Sequence, residues 1–127
     1  MMMQLTDDQF DHIISRAMDE LPQEYIKGLD NVVIVQADTP TPEQMEKMKI
    51  DPHHVLLGLY EGIPLTQRGS GFSGMLPDKI TMFKNSILAV VENEDELFEQ
   101  VKRTLWHEIA HYYGLNHSHI DKLESKP

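Results

Sequence analysis

"LWHEIAHYYGLNHSH", Leu105 to His119, decides how this chain is read, because it holds four of the seven histidines. A helix is expected to carry its first half. Leu97, Phe98, Val101, Leu105 and Ile109 recur at helical spacing along one side. Asn93 and Glu96 form a capping-box signature upstream, and Gly114 is the natural stop because glycine takes positive φ at little cost. On that helix His107 and His111 stand four apart, so their imidazoles lie on one face about a turn apart. Two nitrogens so placed can reach a single ion at ~2.0–2.1 Å. Glu108 sits too close to His107 to ligate beside it, but it is well placed to take a proton from a water at the metal. If the chain doubles back after Gly114, His117 arrives as a third ligand.

Written out, the pattern is His107-Glu108-x-x-His111-x-x-Gly114-x-x-His117, a complete HExxHxxGxxH. By residue frequencies alone it is on the order of a thousandfold rarer than the bare HExxH. Two bland readings stand beside it. The histidines could be solvated surface residues, or the site could be structural and closed by a fourth protein ligand. His119 is the residue that would close it, or would replace His117.

The rest of the chain sets the limits. Its 127 residues suit one domain, 1–127. No run approaches the ~20 apolar residues that a membrane span needs. The start, "MMMQLTDDQFDH", turns acidic without a basic segment followed by an apolar one, so no secretory signal is expected and a cytoplasmic home is the default. With no cysteine, any metal must be held by nitrogen and oxygen. The net charge is −10, with eleven Lys and Arg scattered among twenty-one acids. Phosphate-backbone binding would work against that field, so nucleic acid is not an expected partner, and neutral or basic substrates are favoured over anionic ones.

Working upstream from the motif helix, the pattern predicts an α+β layout. A first helix starts at Thr6 with Gln9 as capping partner, and Phe10, Ile13, Ile14, Ala17, Met18 and Leu21 face its core side. Pro22 opens a short second helix that Gly28 ends. "NVVIVQ", Asn31 to Gln36, is the clearest strand. A short helix runs from Pro42 to about Met48, and Val55 to Gly62 is a second strand with a turn after it. Thr66 to Asp78, rich in Gly and Ser, is expected to be a surface loop. In "KITMFKNSIL", Lys79 to Leu88, a third strand puts Ile80, Met82 and Lys84 on one side and Thr81 and Phe83 on the other.

Three stretches, "LLGLYEGIPLTQRGSG", "LPDKITMFKNSIL" and "LWHEIAHYYGLNH", resemble in order and spacing the small bacterial zincin-like family of possible zinc metallopeptidases. The resemblance implies a minimal zincin fold: a short mixed sheet flanked by helices, with the metal-binding helix near the C-terminus. It also implies Zn2+ as cofactor, a peptide or protein as substrate, and an edge strand beside the metal that pairs with that substrate. "KITMF" is the candidate for that strand. Many members carry an acidic residue where His117 stands. The longer motif is similar to that of the metzincins, which add a Met-containing turn downstream. None of the ten residues after His117 is Met.

Other residues are weighed against plainer roles. Tyr112 or Tyr113 could polarise the scissile carbonyl, although aromatic packing is commoner at such positions. Met75 or Met82 could replace the missing floor methionine, or simply fill the core. The loop around Arg68 to Gly74 could be a lid or a connection. Trp106 is expected behind His107 as packing, and His12, His53 and His54 at the surface. The alternatives to a peptidase are a zinc-binding module without catalysis and a small three-histidine metal-dependent ribonuclease. The latter's motif lacks the glutamate after its first histidine.

Overall fold

A computed structural model describes residues 4–47, 56–63 and 77–114. The elements are α1 (Asp7–Glu20), α2 (Gln23–Lys27), β1 (Val32–Ala37), α3 (Pro42–Lys47), β2 (Gly58–Glu61), β3 (Asp78–Phe83), α4 (Lys84–Leu88) and α5 (Glu94–Tyr113). They form the expected α+β arrangement, a small mixed sheet with helices packed on it, consistent with a minimal zincin-like fold.

Local chemistry sets the helix ends. Thr6 Oγ1 accepts from the Gln9 N–H at 3.1 Å, and Gln9 Oε1 accepts from the Thr6 N–H at 2.8 Å. This reciprocal box satisfies two donors at the start of α1. At α5, Asn93 Oδ1 accepts from the Glu96 N–H at 2.9 Å. The Glu96 carboxylate turns back to the Glu92 N–H and the Asn93 amide, one residue earlier than in the simple box. Gly114 closes α5 at φ 75°, ψ 25°, the left-handed conformation its position predicts.

The strand order is β1-β3-β2, with β1 parallel and β2 antiparallel to β3. β3 is therefore central. Five of its six residues are buried, as a strand with neighbours on both sides and both faces covered should be. Ile80 and Met82 join Phe10, Ile14 and Ala17 of α1 and Leu97, Val101, Leu105 and Ile109 of α5 in one core. Thr81 and Phe83 face the other way, as the alternation predicts. Lys84 does not continue the strand. Its ammonium donates to the Leu5 carbonyl at 3.1 Å and pairs with Asp7 at 2.7 Å, and α4 begins at this residue. β2 is shorter than the stretch expected from Val55 to Gly62, and Val55 lies outside the described residues.

Candidate metal centre

α5 is amphipathic up to Val101 and then buried nearly all round: Thr104, Leu105, Trp106, Glu108, Ile109, Ala110 and Tyr112 are all covered. His107 and His111 are the half-buried interruptions on that last stretch. Each ring turns Nδ1 toward an oxygen of its own helix. His107 Nδ1 lies 3.4 Å from the Arg103 carbonyl, and His111 Nδ1 lies 3.3 Å from Glu108 Oε1. Carbonyl and carboxylate oxygens only accept, so a neutral ring bonded to them carries its proton on Nδ1 and its lone pair on Nε2. That is the tautomer in which imidazole ligates a metal through Nε2 while an acceptor behind it fixes the ring. Donor chemistry and ring setting thus fit a divalent cation. The hydrogen bond that His111 donates to Glu108 raises the His111 pKa above its ordinary value, burial lowers it, and the carboxylate's charge adds to the rise.

Glu108 is 8% exposed, and its carboxylate does not float in a cleft. Oε1 accepts from the backbone N–H of Tyr60 at 2.9 Å. Phe83 N–H donates to the Leu57 carbonyl at 3.0 Å, which fixes the hydrogen-bonding phase of the β2–β3 ladder. Leu59 and Glu61 therefore direct their backbone groups at β3, whereas Gly58 and Tyr60 direct theirs outward. The outer edge of β2 thus runs beside the motif helix, and Glu108 is bonded to it.

Gly58 makes this approach possible. A Cβ there would lie 2.7 Å from Thr104 Cγ2 and 3.4 Å from both Glu108 Cγ and the Thr81 carbonyl oxygen. Tyr60 is tied at its other end too, its hydroxyl donating to buried Asp78 at 2.5 Å and its ring standing edge-on to Tyr112. Sequence reasoning missed Gly58, Tyr60 and Asp78. The available signal was the glycine inside a strand pattern, which marks a close backbone approach.

Tyr112 is fully buried, and its hydroxyl lies 3.1 Å from the Asp30 N–H that donates to it. Tyr113 donates to the Tyr25 carbonyl at 2.6 Å. Burial and the neighbouring Tyr112 and Tyr25 push its pKa above the ordinary tyrosine value. Both phenols anchor the segment around α2 to the motif helix, and so take the packing role. Met82 is a core residue, Trp106 packs edge-on to Tyr25 in the core, and His12 is exposed.

"KITMF" is corrected. It belongs to the central strand, and Thr81, which faces Leu59 in a hydrogen-bonded pair, spends its N–H within the sheet. The edge beside the motif helix is β2. His117, His119, His53, His54, Met75 and the loop around Arg68 to Gly74 lie outside the described residues. Among the described residues no group of three or more His, Asp or Glu is placed to hold a metal, and no helix is long and apolar enough to cross a membrane.

Comparison with known proteins agrees with this fold. A family model described as zincin-like metallopeptidase matches residues 29–126. No curated protein matches. Among solved structures, a conserved hypothetical protein from Thermo thermophilus is similar in fold. The TM-score is 0.56 at 22% identity, over 96% of this chain and 100% of the other. With the family model spanning β1 to the end of the motif helix and beyond, the chain belongs to the zincin-like metallopeptidase family.

Proposed function

We propose that the chain is a zinc-dependent peptidase that cleaves extended peptide segments laid along the outer edge of β2. His107, His111 and His117 would hold the zinc ion, and Glu108 would be the general base. The observation that carries this reading is the buried Glu108 carboxylate, pinned by the Tyr60 N–H at the outer edge of β2 and flanked by two half-buried imidazoles.

When bound, zinc supplies Lewis acidity toward water and the scissile carbonyl. The remaining work falls to this chain's own groups. Gly58 offers its outward backbone N–H and C=O to a substrate strand, in the manner of strand addition. Glu108 takes a proton from the water that adds to the carbonyl carbon. As the C–N bond breaks, Glu108 returns that proton to the leaving amine. The hydrogen bond from Tyr60 holds the carboxylate in one place throughout, so positioning costs little at the moment of reaction.

Metal analysis of the parent and of Glu108→Gln, with both tested on a diverse peptide library, examines this reading. Zinc in both and cleavage by the parent alone is the expected result. Equal cleavage by the two overturns Glu108 as base. Zinc in both with cleavage by neither assigns the site to a zinc-binding interaction module.

A further inference from the structure

Among the described residues the other edge of the sheet, β1, has no partner strand on its outer side. The Asn31 carbonyl accepts from the Asp78 N–H at 2.9 Å, and Val32 pairs with Asp78 in the parallel ladder. In that phase Val33 and Val35 direct their backbone groups at β3, while Val32, Ile34 and Gln36 direct theirs outward. Among the described residues no hydrogen bond reaches those outward N–H and C=O groups. The same strand leaves Val33 41% and Val35 38% exposed on the face opposite the helical core. Unpaired ladder groups next to exposed β-branched side chains form a template for another strand.

The surroundings say what kind of strand. Exposed Asp30 and Asp38 flank β1 at its two ends. Asp11 lies at the Gln36 end, held by the Gln36 amide at 2.6 Å. A second copy could match the outward groups by a two-fold axis through Ile34. That pairing sets the Asp30 end of one copy against the Asp38 end of the other, in a chain of net charge −10. Like charges so opposed disfavour it. A segment with basic ends meets attraction at both.

We propose that the outer edge of β1 takes a segment of a partner protein as a fourth strand, β-branched in its middle and carrying Lys or Arg at both ends. Backbone pairing with Val32, Ile34 and Gln36 supplies affinity, contact with Val33 and Val35 supplies apolar burial, and the flanking aspartates select for charge. Because β2 and β1 are opposite edges, this surface is independent of the peptidase reading.

The test uses the full chain and the synthetic peptide Lys-Thr-Thr-Val-Thr-Val-Thr-Thr-Lys, with a second peptide ending in Glu at both termini. Amide exchange followed by NMR should show Val32, Ile34 and Gln36 slowed at least about tenfold by the Lys-ended peptide and unchanged by the other. Asp30→Lys combined with Asp38→Lys should reverse that preference, and both substitutions lie at exposed positions. Binding of neither peptide, equal binding of both, or protection elsewhere in the sheet overturns the proposal. So does a parent chain that dimerises with the three outward amides protected and no peptide added, which would make a second copy the occupant.

Discussion

The backbone N–H of Tyr60 donates to Glu108 Oε1 at 2.9 Å across 48 residues of chain, so the motif's glutamate is positioned by a strand as well as by its own helix. Two substitutions at Glu108 should therefore part company. Glu108→Gln keeps an oxygen for the Tyr60 donor and should leave thermal stability near that of the parent. Glu108→Ala orphans that N–H and should cost about 1–2 kcal/mol. Peptide turnover should fall ~10²–10⁴-fold in both, since neither side chain can accept the proton. Denaturation curves beside peptide assays check this. Equal stability for the two variants would mean that the Tyr60 contact contributes nothing.

Gly58 holds β2 against α5, and the Cβ clash with Thr104 Cγ2 at 2.7 Å gives its replacement a specific remedy. Gly58→Ala should destabilise the chain by about 1–3 kcal/mol and shift Tyr60 away from Glu108. Thr104 also accepts from the Gln100 amide at 3.0 Å through Oγ1. Thr104→Ser removes the clashing methyl and keeps that bond. The double variant should recover much of the loss, giving a coupling energy of about 0.5–2 kcal/mol in a double-mutant cycle. Additive effects would place the strain elsewhere.

Thr81 is 4% exposed, on the face of β3 shared with Leu59 and Phe83, and among the described residues its hydroxyl has no hydrogen-bond partner. A buried hydroxyl left unpaired loses the hydrogen bonds it made to water. Thr81→Val keeps the branched shape and the strand preference while removing the orphan oxygen. It should raise stability by about 1 kcal/mol, read as a shift in urea midpoint at constant slope. A loss of stability would mean that the hydroxyl is bonded in solution.

The Glu108–His111 contact sets a pH dependence whose sign can be worked out. The His111 pKa is raised above 6.5 chiefly by its bond to Glu108, so the folded chain binds that proton more tightly than the unfolded one. The resulting stability is fully present below the unfolded value and is lost as pH rises through the folded value. For chelator-treated protein, melting scans from about pH 5.5 to 8.5 should show parent stability falling relative to Glu108→Gln across the start of that range. Zinc must displace the same proton, so zinc affinity should climb over the window in which that stability falls. A parent-minus-variant difference that is flat with pH would remove the contact as its source.

What could be read from the chain and what could not divides by the range of the interaction. Thr6 with Gln9, Asn93 with Glu96, and Gly114 act within one helical turn, so residue type and spacing are enough to place them. "KITMF" shows the limit. Its alternation fits an edge strand as well as a central one, and only pairing with β1 and β2 together decides between them. Alternation misplaces Lys84 because its partners, Leu5 and Asp7, lie at the far end of the chain. Tyr60 escapes notice for a different reason. Motif reading looks for reactive side chains, and this residue acts on Glu108 through its backbone N–H, which any residue but proline carries.

Gly114 joins the described motif helix to the segment that carries His117. At φ 75°, ψ 25° it occupies a conformation that costs an ordinary L residue about 1 kcal/mol. Gly114→Ala should lower stability by that amount, and Gly114→Asn by less, because asparagine tolerates the left-handed region. Zinc affinity, measured by competition with a chromogenic chelator, separates this backbone effect from ligand placement. If the reversal at Gly114 brings His117 to the ion, the Ala variant should lose more zinc affinity than the Asn variant. His117→Ala should then add little to the loss already present in Gly114→Ala. Should Gly114→Ala bind zinc as the parent does while His117→Ala binds it weakly, the third ligand reaches the metal without help from the glycine turn. Should both bind it as the parent does, the third ligand is another residue.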